Sequence, residues 1–117
     1  MNAQRFFEAA FPQMVVKHFD TFLQSQGTIS FAVEGQGDWT VEFGNSETPV
    51  SDGFQGDADL RLWWSGEGFS SFLDGKLDVI EAVEAGAVSA AGNVELLETL
   101  GYMLRPQTTL LDVMMHQ

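Results

Sequence analysis

The chain has no cysteine, which excludes a disulfide framework and a thiolate metal site. Basic residues are almost as scarce. Five Lys and Arg stand against seventeen Asp and Glu, a formal charge of −12. Such a surface repels nucleic-acid backbones and opposes docking on anionic membranes. The charge itself serves solubility. The two histidines, His18 and His116, lie far apart and lack the short His/Glu spacings of a zinc site. No long apolar run is present. Glu8 interrupts the apolar residues of the first ten positions, so neither a signal peptide nor a spanning helix is expected, and cytoplasmic residence is. Repeats, linkers and low-complexity runs are absent as well.

What remains is apolar and aromatic. The 117 residues are 44% hydrophobic, with ten Phe and three Trp, enough for a packed core and consistent with one domain over residues 1–117. Ala3, Phe6, Phe7, Ala10 and Phe11 recur at helical spacing, and Pro12 predicts a break or a new first turn. Val15, Val16, Phe19, Phe22 and Leu23 form a second helical stripe ending before Gly27, with Lys17 and His18 on its polar side.

Strict alternation starts at Thr28. Ile29, Phe31 and Val33 point one way, then Trp39, Val41 and Phe43 repeat the pattern after Gly35-Gln36-Gly37, which predicts an antiparallel hairpin with one buried face. A weaker strand runs from Thr48 to Phe54, with Pro49 suited to an edge. Ala58, Leu60, Leu62 and Trp64 alternate with Asp59, Arg61 and Trp63 as the next strand.

From Ser65 to Leu104 the pattern is helix, helix, short strand, helix. Ser65 caps Phe69, Phe72 and Leu73, with Glu67 in the first turn and Gly75 at the end. Asp78 and Glu81 form a capping-box pair for a helix closed by Gly86. Val88, Ala90 and Ala91 make a short strand; Gly92-Asn93 turns the chain, and Val94, Leu97, Leu100 and Leu104 share a helical face. Arg105-Pro106 ends that helix, and Thr108 caps a final one with Leu110, Leu111, Val113, Met114 and Met115. Strands in sequence with a helical excursion before the last predict an α+β fold, one mixed sheet with helices stacked on it.

Asp59 to Ser65, then Phe69, Phe72, Leu73, Gly75-Lys76-Leu77-Asp78, Glu81-Ala82, Gly86, Gly92-Asn93 and the Leu-rich helix resemble the sterol carrier protein 2 family. The upstream hairpin fits too. The resemblance covers nearly the whole chain and implies a five-stranded mixed sheet, helices on one side, and non-catalytic binding of a lipid in an apolar tunnel between them. The strand from Ala87 to Ala91 lacks the basic residues common in the family, and His116-Gln117 is not a peroxisomal tripeptide. A free-standing bacterial-type member is therefore implied.

Phe19, Phe22, Phe69, Phe72, Leu97, Leu100, Met103, Leu110 and Met114 are the candidate lining. Most large apolar residues fill a core. The Met-bearing tail from Leu110 to Met115 is instead read as an adaptable lid, since methionine fills irregular space without fixing a shape. The negative charge favours neutral lipids, sterol-like, isoprenoid or quinone, with a fatty acid held by Arg61 or Arg105 as second choice. No cofactor is expected beyond the bound lipid. The partners expected are a hydrophobic small molecule, a lipid-using enzyme, or a second copy in a homodimer, without stable membrane insertion or nucleic acid.

The alternatives are a filled-core interaction or dimerisation module of the same fold, and a small acid–base enzyme using Asp57 or Asp59, which share one strand face. Ser70-Ser71 has no base or oxyanion signal nearby, and Gly66-Glu67-Gly68 is not a phosphate loop. Of Trp63-Trp64, alternation sends one ring inward and one out; Trp63, beside Arg61, is read as a ring half-buried under a neighbouring helix in preference to an exposed partner contact.

Overall fold

The computed structural model describes residues 2–104 except 46 and 48, and leaves the Leu23 side chain undescribed. The chain begins with α1 (Ala3–Arg5), whose first turn is closed by the Asn2 side chain accepting from the Arg5 amide. A π-helical turn, Phe6–Ala10, then leads into α2 (Phe11–Lys17). Of the break or new first turn expected at Pro12, the structure has the new first turn: Pro12 stands at the start of α2. In the wider turn the Phe11 amide donates to the carbonyl of Phe6, so the ladder changes period where proline has no N–H to contribute. The chain breaks instead at His18 (φ −113°, ψ 40°), before α3 (Phe19–Gln24).

The sheet contains β1 (Gly27–Val33), β2 (Gly37–Phe43), β3 (Val50–Asp52), β4 (Leu60–Trp64) and β5 (Val88–Gly92). Their spatial order is β3-β2-β1-β4-β5. The hairpin β1–β2 is antiparallel, with Phe31 opposite Trp39 and Ile29 opposite Val41. At the centre β4 runs parallel to β1, pairing Phe31 with Leu62. The two edges, β3 on β2 and β5 on β4, are antiparallel, so the sheet is mixed as expected. The third strand is shorter than its predicted span, held between Pro49 and Gly53.

After β4 come α4 (Gly66–Leu73), α5 (Val79–Glu84) and, beyond β5, α6 (Val94–Met103). Each starts on a side-chain cap. Ser65 accepts from the Gly68 amide, and Asp78 and Glu81 bond reciprocally as a capping box. Asn93 accepts from the amides of Glu95 and Leu96, satisfying donors that the first turn leaves orphaned.

The buried side of α6 differs from the expected one at Val94. Val94 is 64% exposed, whereas Leu96, Leu100, Met103 and Leu104 are buried. Leu96 drops over the start of β1, where its side chain occupies the space a Gly27 Cβ would need. The cap at Asn93 therefore begins a stripe displaced from the one that starts at Val94.

Ile29, Phe31 and Val33, Trp39, Val41 and Phe43, and Leu60, Leu62 and Trp64 form the inward face. They join Ala3, Phe6, Phe7, Phe11, Phe22, Phe69, Phe72, Val79, Ala82 and Leu100 in one apolar cluster. On the other face of the sheet lie Ser30, Thr40, Arg61 and Trp63. Trp63 is not half-buried under a helix as expected: it is 41% exposed, and its ring lies 5.5 Å from that of Phe54 in the loop after β3.

Candidate functional site

Alternation along β1, β2 and β4 sends the large apolar side chains of those strands, Trp63 excepted, to the helical side. There the rings interlock. Phe7 stacks on Trp39 at 4.8 Å and meets Phe31 at 4.9 Å. Phe6 approaches Phe69 and Phe72 edge-on at 5.8 and 5.6 Å. Trp64 crosses Phe69 nearly at right angles at 5.2 Å. Edge-to-face pairs of this kind add to the apolar burial of each ring.

Of the predicted lining residues, Phe22, Phe69, Phe72, Leu100 and Met103 are all buried on this side. Leu97 is half-buried against the same cluster. Phe22 packs against Phe43 at 5.3 Å. Phe19 is not brought to the interior. It is 45% exposed and lines a surface groove of about 390 Å³ with Val16, His18 and Tyr102. Leu110, Met114 and Arg105 lie outside the described residues.

Arg61 stands on β4 between Leu60 and Leu62, both buried inward, so its side chain is on the opposite face of the sheet. There its Nη1 donates to the Gly56 carbonyl at 3.3 Å. Its Nε is buried and has no hydrogen-bond partner among the described residues. The fold therefore separates the proposed head-group arginine from the apolar set.

The two buried polar residues among those described, Ser30 and Thr40, also lie on that outer face and bond to each other at 2.7 Å. Among the described residues the helical side holds no buried charge. One polar atom there lacks a partner, the indole Nε1 of Trp64. The sequence reading missed the N-terminal contribution of Phe6, Phe7 and Phe11. Three phenylalanines crowded ahead of Pro12 are the signal that could have placed them inside.

The two aspartates expected on one strand face, Asp57 and Asp59, both precede β4 and are both exposed. The Asp59 carboxylate accepts from the Thr28 amide at 2.9 Å, and the Asp59 amide donates to Thr28 Oγ1 at 3.3 Å. Among the described residues no three His, Asp or Glu side chains converge to hold a metal ion, and no described helix is long and apolar enough to cross a membrane. His18 has its pKa lowered, first by partial burial and then by the neighbouring Lys17 charge.

At the far edge of the sheet a second, open cleft of about 400 Å³ lies between the N-terminal helix and β3. Phe7, Pro12 and Trp39 line it, and Glu8, Glu47 and Asp52 supply its carboxylates.

The model of the SCP-2 sterol transfer family matches residues 19–105. No curated protein matches the sequence. Solved structures do. The chain is similar to the sterol carrier protein domain 2 of Helicoverpa armigera, with 19% identity, 91% of each chain covered and a TM-score of 0.66. It is similar to the apo form of sterol carrier protein 2 from Yarrowia lipolytica, with 19% identity over 86% of this chain and 82% of that one, TM-score 0.62. A UbiJ-SCP2 ubiquinone synthesis protein aligns at 14% identity over 84% of this chain and 96% of that one, TM-score 0.53. At these identities the likeness is one of fold.

Proposed function

Because the chain belongs to the SCP-2 sterol transfer family, whose membership implies lipid binding or transfer, we propose that it is a non-catalytic carrier that shelters a neutral lipid between its sheet and C-terminal helices. One observation carries this reading. Among the described residues the two buried polar side chains both sit on the outer sheet face, and the helical side is walled by apolar side chains, with the Trp64 indole N–H the one unpaired polar group. A site of that composition selects by shape and burial.

The magnitudes suffice. Burying an alkyl chain gains about 0.8 kcal/mol per methylene, so about a dozen contribute on the order of 10 kcal/mol before losses of chain and rigid-body freedom. Phe69 and Phe72 are engaged by Phe6, so the lipid is proposed to lie along α6, against Leu97, Leu100 and Met103. Leu110 and Met114 are proposed as its adaptable cover. The net charge of −12 disfavours anionic head groups. Arg61 stands on the opposite sheet face, which further supports a neutral ligand (sterol-like, isoprenoid or quinone). The buried Trp64 Nε1 offers a donor for a hydroxyl or carbonyl oxygen. The names of the structural neighbours, sterol carriers and a ubiquinone synthesis protein, support the same choice. In this reading the protein works in the cytoplasm and presents its lipid to an enzyme.

Replacing Leu100 by Trp tests the assignment. The variant should keep its circular dichroism spectrum and lose uptake of a fluorescent sterol or fatty acid. Unchanged uptake by a folded variant contradicts the lining. A second reading, a filled interaction or dimerisation module, draws on the ring contacts of Phe6, Phe7 and Phe69. It expects no uptake of any probe and dimerisation that rises with concentration.

A further inference from the structure

Three features of the β3 edge converge on one use. The first is backbone direction. Glu42 donates to the Pro49 carbonyl, and the Gly53 amide donates to the Asp38 carbonyl. With Thr40 opposite Ser51, these fix which residues of β3 turn their peptide groups toward β2. Ser51 does, and so Val50 and Asp52, in the alternate positions, turn their N–H and C=O groups outward. Among the described residues no strand lies beyond β3 in the sheet. Proline 49 does not blunt this edge. Its missing N–H falls on the β2 side, where the Glu42 carbonyl instead accepts from Asn45 at 3.4 Å.

The second feature is the cleft beside the edge. Val50 and Asp52 share the face of Trp39 and Val41, the face that looks onto Phe7 and Pro12 across about 400 Å³. Side chains of an added strand opposite Val50 and Asp52 would project into that space. The third is charge. Glu8, from the helix, Glu47, before β3, and Asp52, on it, all line the cleft, on a chain whose net charge is already −12.

We propose that the outer edge of β3 docks an extended segment of a partner protein that alternates basic and apolar residues, added as a sixth strand. Main-chain bonds to Val50 and Asp52 supply affinity, and the alternate side chains that enter the cleft are the basic ones, their aliphatic stems on the apolar floor and their charges at the carboxylates. The strand is only three residues long, which limits its use as a template for indiscriminate pairing. A second copy of this chain would bring like charges together at the same edge. The proposal is independent of what the interior binds.

The test uses the full chain and a synthetic capped peptide of sequence Lys-Val-Lys-Val-Lys, with Glu-Val-Glu-Val-Glu as its control. The lysine peptide should slow hydrogen exchange of the Val50 and Asp52 amides, bind more weakly as salt rises, and outcompete the acidic control. Asp52→Pro removes an outward N–H and no β2–β3 bond, and should weaken binding roughly tenfold. N-methylation of alternate peptide amides should do the same while leaving the protein untouched, which covers the case of a variant that misfolds. Glu8→Lys should weaken binding as well. Equal binding of the two peptides, unchanged exchange at Val50 and Asp52, indifference to N-methylation, or pairing of two copies through β3 would each overturn the proposal.

Discussion

Asp59 and Thr28, distant in sequence, exchange two hydrogen bonds at the point where β1 and β4 begin to run side by side. The carboxylate accepts from the Thr28 amide at 2.9 Å and the Asp59 amide donates to the threonine hydroxyl at 3.3 Å. A parallel pair has no tight turn to set its register, and this clamp supplies one reference point. Asp59→Ala should cost about 1 kcal/mol, the worth of one exposed hydrogen bond, whereas Asp59→Asn, which keeps an acceptor, should be nearly neutral. Urea unfolding of the two variants checks this; equal losses would contradict the clamp.

Gly92 constrains the same corner from β5. Its φ of +120° is one that side chains rarely adopt, and a Cβ there would overlap the Asp59 carbonyl oxygen. That oxygen also accepts from the Asn93 amide at 2.8 Å. Gly92→Ala should destabilise by about 3 kcal/mol or more, combining backbone strain with steric overlap. Thermal melts would show it as a large fall in Tm. A change within error would mean that β5 can slide outward at no cost.

On the outer sheet face the hydroxyls have a definite order. Thr40 Oγ1 donates to the Gly53 carbonyl at 2.7 Å. Its single proton is then used, so Ser30 must donate across the 2.7 Å contact to Thr40 while accepting from the Gln55 amide at 2.9 Å. The relay fastens the loop after β3 to the sheet. Thr40→Val should cost about 1–3 kcal/mol by stranding buried partners and should speed hydrogen exchange at Gln55. An unchanged Gln55 rate would show that the loop is held by other means.

His18 sits edge-on to Tyr102, ring centres 5.2 Å apart. Burial, and then Lys17, lower its pKa below the usual 6.5. The unfolded chain therefore takes up a proton first as pH falls. The stabilisation from neutral His18 is complete above the unfolded value and is lost as pH drops through 6.5 toward the lowered folded-state value. The Tm difference between wild type and His18→Gln should be constant above about pH 7 and shift against the wild type on acidification. A shift in its favour would mean a raised pKa. A histidine NMR titration reads the value directly.

The elements were legible because their signals are local. Alternation from Thr28 to Phe43, the Asp78–Glu81 box and the Ser65 and Asn93 caps each act within a few residues, and each appears as expected. Strand order was not legible, since alternation assigns a face but not a neighbour. Of the stripe Val94, Leu97, Leu100 and Leu104 only Val94 turned out exposed, because Leu96 takes the inward place over a distant glycine, Gly27. Pro12 opens a new first turn, one of the two outcomes expected of it, because its missing donor is not needed at the start of α2. The Arg61 face could have been read from its own strand: a residue between Leu60 and Leu62 points away from whatever those two bury. Phe19 followed the period of its helix on paper, but the break at His18 turns the start of α3 outward.

Native mass spectrometry of the purified protein, followed by organic extraction of what it carries, tests the central claim most directly. The proposed carrier should show a population heavier than the apoprotein by the mass of one lipid, and the extract should yield an uncharged sterol-like or isoprenoid species. Lipid-free protein that also takes up no added sterol, quinone or fatty acid would contradict it, as would an extract dominated by acyl-coenzyme A or anionic phospholipid.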